Sequence, residues 1–188
     1  MYIQQQPIIL ASKSPRRQEL MTLMGLDFSV QLKEVDESYP DGLTPSKIAI
    51  YISEQKAEAF GVSKGNIIVT ADTIVALKGE ILGKPTDRAH AQQMLSKLSG
   101  QPHEVYTGVT LVKDNFSYSF FDKTIVFCRD VTEEEINFYI DRYQPYDKAG
   151  AYGVQDWWGL AVVERIEGSY TNVMGLPTEK LLKALRDL

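Results

Sequence analysis

Cysteine is almost missing from the 188 residues: Cys128 stands alone, which excludes an intramolecular disulfide framework. Histidine is scarce as well. With only His90 and His103 beside that thiol, a zinc cage of Cys and His lacks ligands. No apolar run approaches the ~20 residues of a membrane span. The opening MYIQQQPIILASKS has no basic region ahead of a long apolar stretch, so no signal peptide is predicted. Positive charge is in deficit. Twenty Lys and Arg against 25 Asp and Glu leave a net charge of −5, which gives no ground for adhesion to nucleic acid or an anionic membrane. The phosphate-binding patterns GxxxxGKS/T and GxGxxG are both absent, as are repeats and low-complexity tracts. What is present is an apolar share of 44% in a chain long enough to bury a core without staples. That predicts one soluble, cytoplasmic domain over residues 1–188.

Pro7 to Ala11 is a short apolar run and predicts a first buried strand. A helix follows over Gln18 to Met24, stopped by Gly25, then a strand over Phe28 to Leu32 and a polar loop from Glu34 to Leu43. Thr44-Pro45 opens a long helix ending near Gly61, with Ile48, Ile52 and Ala59 as inward candidates. Asn66 to Leu77 is the most apolar strand, turning at Lys78-Gly79-Glu80 into Ile81-Leu82. A helix spans Asp87 to Leu98, and a long hairpin pairs Glu104–Lys113 with Phe116–Cys128 around Asp114-Asn115. Thr132 and Glu135 form a capping box for a helix through Arg142. Gly159 to Ile166 is predicted as a strand and Thr178 to Leu188 as a terminal helix. The pattern predicts an α/β fold, a mixed sheet with a lobe on each side of a cleft.

Four constellations carry chemistry. In Ser12-Lys13-Ser14-Pro15-Arg16-Arg17, Ser14 suits an N-cap and Pro15 the first helical position. Arg16 and Arg17 then fall in a first turn where the helix dipole is already positive, so either an anion is their partner or they simply point into solvent. Asp72 sits inside the apolar strand Ile67–Val75. An unpaired buried carboxylate is expensive, so it meets a cation, a metal or a catalytic water, or else lies on an edge strand facing solvent. The loop Glu34–Glu37 offers further hard oxygens for Mg²⁺ or Mn²⁺. Gly83-Lys84-Pro85 fixes an ammonium near the sheet end, and Lys56 on the long helix can point the same way. Finally Asp147 to Gln155 is a glycine-punctuated loop that allows close backbone approach to a ligand, or forms an ordinary turn. His90 in a polar helix and His103 in a turn after Pro102 fit no hydrolase triad, and Cys128 packs as a small hydrophobe. The remaining chemistry is water attack on phosphorus.

These residues resemble the Maf family, septum-formation-inhibitor homologues that act as nucleoside triphosphate pyrophosphatases. Leu10 to Arg17 matches its LASxSPRR signature. Ala71-Asp72-Thr73, Gly83-Lys84-Pro85, Leu98-Ser99-Gly100, Asp147 to Gln155 and Gly175-Leu176-Pro177 follow in the family's order. The resemblance implies an elongated central mixed sheet flanked by helices, two lobes with a cleft, as in Maf and ITPase-like folds. It implies hydrolysis of a nucleoside triphosphate to monophosphate and pyrophosphate with a divalent metal, Mg²⁺ or Mn²⁺. Asp72 then matches the catalytic aspartate, and Arg16, Thr73 and Gln155 the positions linked to substrate choice. Glu37, Lys56 and Lys84 match polar cleft positions, with Ser12 and Arg17 in the signature loop. The setting of Gln155 resembles the subgroup acting on dTTP and UTP. Asp156-Trp157-Trp158 lies outside the shared motif, and packing is the better assignment for those tryptophans.

The expected mechanism must bring a tetra-anionic substrate to an acidic protein, so local cations do the work. Glu37 and Asp72 hold the metal; Asp72 either deprotonates the attacking water or only ligates. Arg16, Arg17, Lys56 and Lys84 neutralise the leaving pyrophosphate, and Ser12 and Ser14 add hydroxyl contacts. A homodimer is compatible with this reading. The rivals are a non-enzymatic nucleotide- or nucleic-acid-binding regulator of cell division and a general phosphatase that releases orthophosphate.

Overall fold

A computed structural model describes residues 6–188, so the first five residues of the opening that reads as lacking a signal peptide lie outside the described part. Its frame is a seven-stranded mixed sheet ordered β2-β1-β3-β5-β6-β7, with β4 added beside β3. The strands are β1 (Ile8–Leu10), β2 (Phe28–Val30), β3 (Ile67–Leu77), β4 (Glu80–Leu82), β5 (Pro102–Lys113), β6 (Phe116–Cys128) and β7 (Val163–Glu167). β1 runs parallel to both β2 and β3, and the remaining pairs are antiparallel.

Alternation along β3 divides the core into two faces. Val69, Ala71, Val75 and Leu77 join the larger cluster with α1 (Pro15–Leu23), α3 (Arg88–Leu98), α4 (Glu133–Tyr143) and α7 (Thr178–Asp187). Ile74 and Ala76 join Tyr106 in a smaller cluster against α2 (Pro45–Glu58). The capping box predicted from sequence is present, with Thr132 and Glu135 closing it reciprocally on α4, and Asp87, read only as a helix start, caps α3 by accepting from the His90 amide.

Three local expectations differ. Ala59 is exposed beyond the end of α2, and Ala57 takes the inward position instead. The segment read as a strand from Gly159 begins as the short helix α5 (Trp157–Ala161), and only Val163 onward is strand. Asp156 caps that helix by accepting from the Trp158 amide, and a side chain at Gly159 would overlap the Val154 carbonyl. His103 lies within β5, buried, and not in a turn. A further short helix, α6 (Tyr170–Met174), precedes Gly175-Leu176-Pro177.

Candidate active site

The site is built on a gap in the sheet. On one edge of β3, β1 pairs as far as Val69 and β4 begins again at Val75. Among the described residues no strand covers that edge between them, where Asp72 and Thr73 sit. Because neighbouring side chains point to opposite faces, Asp72 lies on the α2 face and Thr73 on the other. The open edge lets one cavity of about 950 Å³ reach both. Asp72 is therefore on an interior strand, and the solvent-facing alternative does not hold.

Every site residue predicted from sequence lines this cavity: Ser12, Ser14, Arg16, Arg17, Glu37, Lys56, Asp72, Thr73, Lys84 and Gln155. Seven Lys or Arg residues line it against four Asp or Glu, although the whole chain is net negative. On the α2 face, Lys56 Nζ donates to Asp72 Oδ1 at 2.7 Å and stands 2.9 Å from Glu37 Oε1. Lys84 approaches the other Glu37 oxygen at 3.9 Å. Burial pushes the Glu37 carboxyl up, but the Lys56 hydrogen bond and charge outweigh it, so its pKa is lowered.

On the opposite face Arg17 turns inward. Its guanidinium donates to the carbonyls of Gly175 (2.7 Å) and Ala71 (2.9 Å), and to the hydroxyls of Ser12 (3.1 Å) and Thr73 (3.0 Å). The Ala71 carbonyl is one that a covering strand would have used. Four of the five N–H groups are thus engaged by protein, leaving one for a ligand. Burial lowers this arginine's pKa, with Asp72 opposing. Arg16 instead meets Asp147 at 3.0 Å, and Lys148 reaches the same carboxylate at 2.7 Å. Ser14 is the N-cap residue of α1 but its hydroxyl makes no cap; its amide donates to Ser12 Oγ.

Two carboxylates converging on one ammonium also suit a hard divalent cation, which needs only one or two carboxylates when phosphates and water complete its shell. Among the described residues no group of three His, Cys, Asp or Glu side chains is placed for a metal. Glu37 and Asp72 are the two carboxylates that Lys56 gathers. Gln155 brings a carboxamide whose Oε1 is buried without a protein partner. Sequence reasoning did not single out Tyr139 or Asp156, which hold the Gln155 loop; Asp156 was visible only as a departure from the shared motif. Trp158 is fully buried, as packing predicts.

The Maf-like protein family matches residues 7–188. The chain belongs to the Maf family. A dTTP/UTP pyrophosphatase of Bacteroides thetaiotaomicron is 50% identical over 184 residues, covering 96% of this chain and 95% of the relative. The dTTP/UTP pyrophosphatase of Flavobacterium johnsoniae is 48% identical over 184 residues, with coverage of 96% and 94%. Among solved structures, a HAM1 protein from Coxiella burnetii shares the fold at 17% identity and TM-score 0.53, over 97% of this Maf chain and 100% of that one. Among the described residues no helix is long and apolar enough to cross a membrane.

Proposed function

We propose that this Maf protein hydrolyses dTTP and UTP to the nucleoside monophosphate and pyrophosphate. The observation that carries the reading is the concentration of cations in one cavity beside the half-buried Asp72 carboxylate, on a protein otherwise negative. Net charge repels a triphosphate; this cavity attracts it.

Asp72 orients the attacking water at the α-phosphorus and takes its proton as the α–β bridging bond breaks. Lys56 holds that carboxylate in place from α2. Pyrophosphate leaves with its growing charge facing Arg16, Lys56 and Lys84, and the Arg17 N–H that remains free. Glu37 and Asp72, the two carboxylates gathered around Lys56, would hold a divalent cation. Such a cation supplies Lewis-acid stabilisation of the phosphate charge and of the attacking water. Gln155 reads the base: uracil and thymine present an N3–H donor beside carbonyl acceptors, which a carboxamide with a free Oε1 can meet.

The test is a nucleotide panel with Mg²⁺ or Mn²⁺, with pyrophosphate and orthophosphate assayed separately. The expected result is pyrophosphate from dTTP and UTP, lost on chelation. Orthophosphate release would identify a general phosphatase, and no turnover of any nucleotide would favour a binding regulator.

A further inference from the structure

We propose that Tyr139 and Asp156 are positioning residues for base selection, holding the Gln155 carboxamide in one orientation. The inference rests on the reading of Gln155 given above.

Gln155 lies on an irregular segment between the 3-10 turn Ala149–Ala151 and α5. A hydrogen-bonded chain crosses that segment from α4. The Gly153 amide donates to Tyr139 Oη at 3.0 Å, and the phenol donates to the Asp156 carboxylate, 3.0 Å from each oxygen. Asp156 Oδ1 also accepts from the Trp158 amide at 3.3 Å. One phenol therefore ties the residues on both sides of Gln155 to a fully buried point on a capped helix. Burial, reinforced by the Asp156 charge, raises the Tyr139 pKa, so the phenol stays protonated and remains the donor.

The amide packs against the backbone that this chain holds. A Cβ at Gly153 would stand 2.5 Å from Asp156 Oδ2 and 3.1 Å from Gln155 Nε2. Both groups are thus packed over the bare Cα of Gly153. With Nε2 seated there, Oε1 is left buried and unpartnered, ready for an N–H donor. Uracil and thymine supply one at N3. Cytosine presents an acceptor at N3, and a carboxamide could meet it only by turning over. Rejection of CTP therefore depends on an amide that cannot turn, which requires the Tyr139–Asp156 tie.

The experiment measures kcat and KM for dTTP, UTP and CTP in wild type, Tyr139→Phe, Asp156→Ala, Asp156→Asn, Gln155→Ala and the Tyr139→Phe/Gln155→Ala double variant, with melting temperatures alongside. Tyr139→Phe and Asp156→Ala should narrow the dTTP-over-CTP ratio of kcat/KM by roughly three- to tenfold, chiefly through KM. Asp156→Asn keeps an Oδ1 acceptor for both donors and should retain most of the ratio. Adding Tyr139→Phe to Gln155→Ala should change the ratio no further. A lowered melting temperature with an unchanged ratio would show a purely structural tie and overturn the proposal. If Gln155→Ala itself leaves the ratio unchanged, the reading of Gln155 fails first; a shift in Tyr139→Phe alone would then reject the route through Gln155. Should Tyr139→Phe not fold, the contrast between Asp156→Ala and Asp156→Asn decides.

Discussion

Asp72 and Gly108 face each other directly across the β3–β5 ladder, and the missing side chain at Gly108 is what seats α2 close enough for Lys56 to reach the carboxylate. A Cβ at Gly108 would overlap the Ala49 carbonyl and crowd the Ile50 amide. Lys56 lies two helical turns beyond Ala49 on the same face. Gly108→Ala should push α2 off the sheet, costing about 1–3 kcal/mol through overpacking. Turnover should fall with stability, because the ammonium retreats. Thermal melts and steady-state rates on one preparation check both; an unchanged melting temperature would show room that this packing denies.

Asp72→Asn preserves shape while removing the charge and the proton-accepting capacity. Lys56 keeps Glu37 as a partner at 2.9 Å, so the ammonium is not stranded. The fold should survive by circular dichroism while turnover drops by roughly two orders of magnitude or more, the range for loss of a general base. Near-wild-type turnover at saturating Mg²⁺ would remove Asp72 from both proton transfer and metal binding.

Arg16 and Arg17 are adjacent in sequence but differ in duty. Relief of the helix dipole alone would leave either alanine variant as stable as wild type or slightly more so. That holds for Arg16, whose partner is the exposed Asp147 carboxylate. Arg17 is different, because its removal orphans the Ala71 and Gly175 carbonyls and frees the Thr73 hydroxyl. Arg17→Ala should lose on the order of 3 kcal/mol of apo stability, whereas Arg16→Ala should mainly weaken triphosphate binding. Denaturant melts and nucleotide titrations of both variants separate the two roles. Equal melts would mean the inward bonds contribute nothing net.

That contrast shows where the sequence stops being legible. The inputs to β3 and α4 are local: an apolar run and a Thr132–Glu135 box, each readable without neighbours. The cavity's lining was also readable, because the motifs carry its residue types in order. The inward turn of Arg17 was not, since it depends on an edge of β3 left bare between Val69 and Val75, which only tertiary pairing reveals. α5 was missed for a related reason. Its glycine looks like a strand or turn residue until the Val154 backbone is seen against it.

His103 sets a pH dependence that can be read separately from the carboxylates. It is 1% exposed on β5, with Nε2 2.7 Å from the hydroxyl of Tyr152, a residue that lines the cavity. Burial lowers its pKa from 6.5 to about 4, with the Gln101 backbone opposing. Between those values the unfolded chain binds a proton that the folded protein does not. The neutral imidazole's contribution is therefore complete above about pH 6.5 and is lost as pH falls toward 4. At 1.36 kcal/mol per pH unit the loss across that window is at most roughly 3 kcal/mol. Glu37 and Asp147 have lowered pKa values, so their share is intact above the ordinary carboxylate pKa and is lost only as pH falls from there through the folded values. His103→Gln removes the titration, whatever it costs at neutral pH. Melting temperatures across the window should fall steeply for wild type and stay nearly flat for the variant; parallel slopes would mean another group carries the dependence.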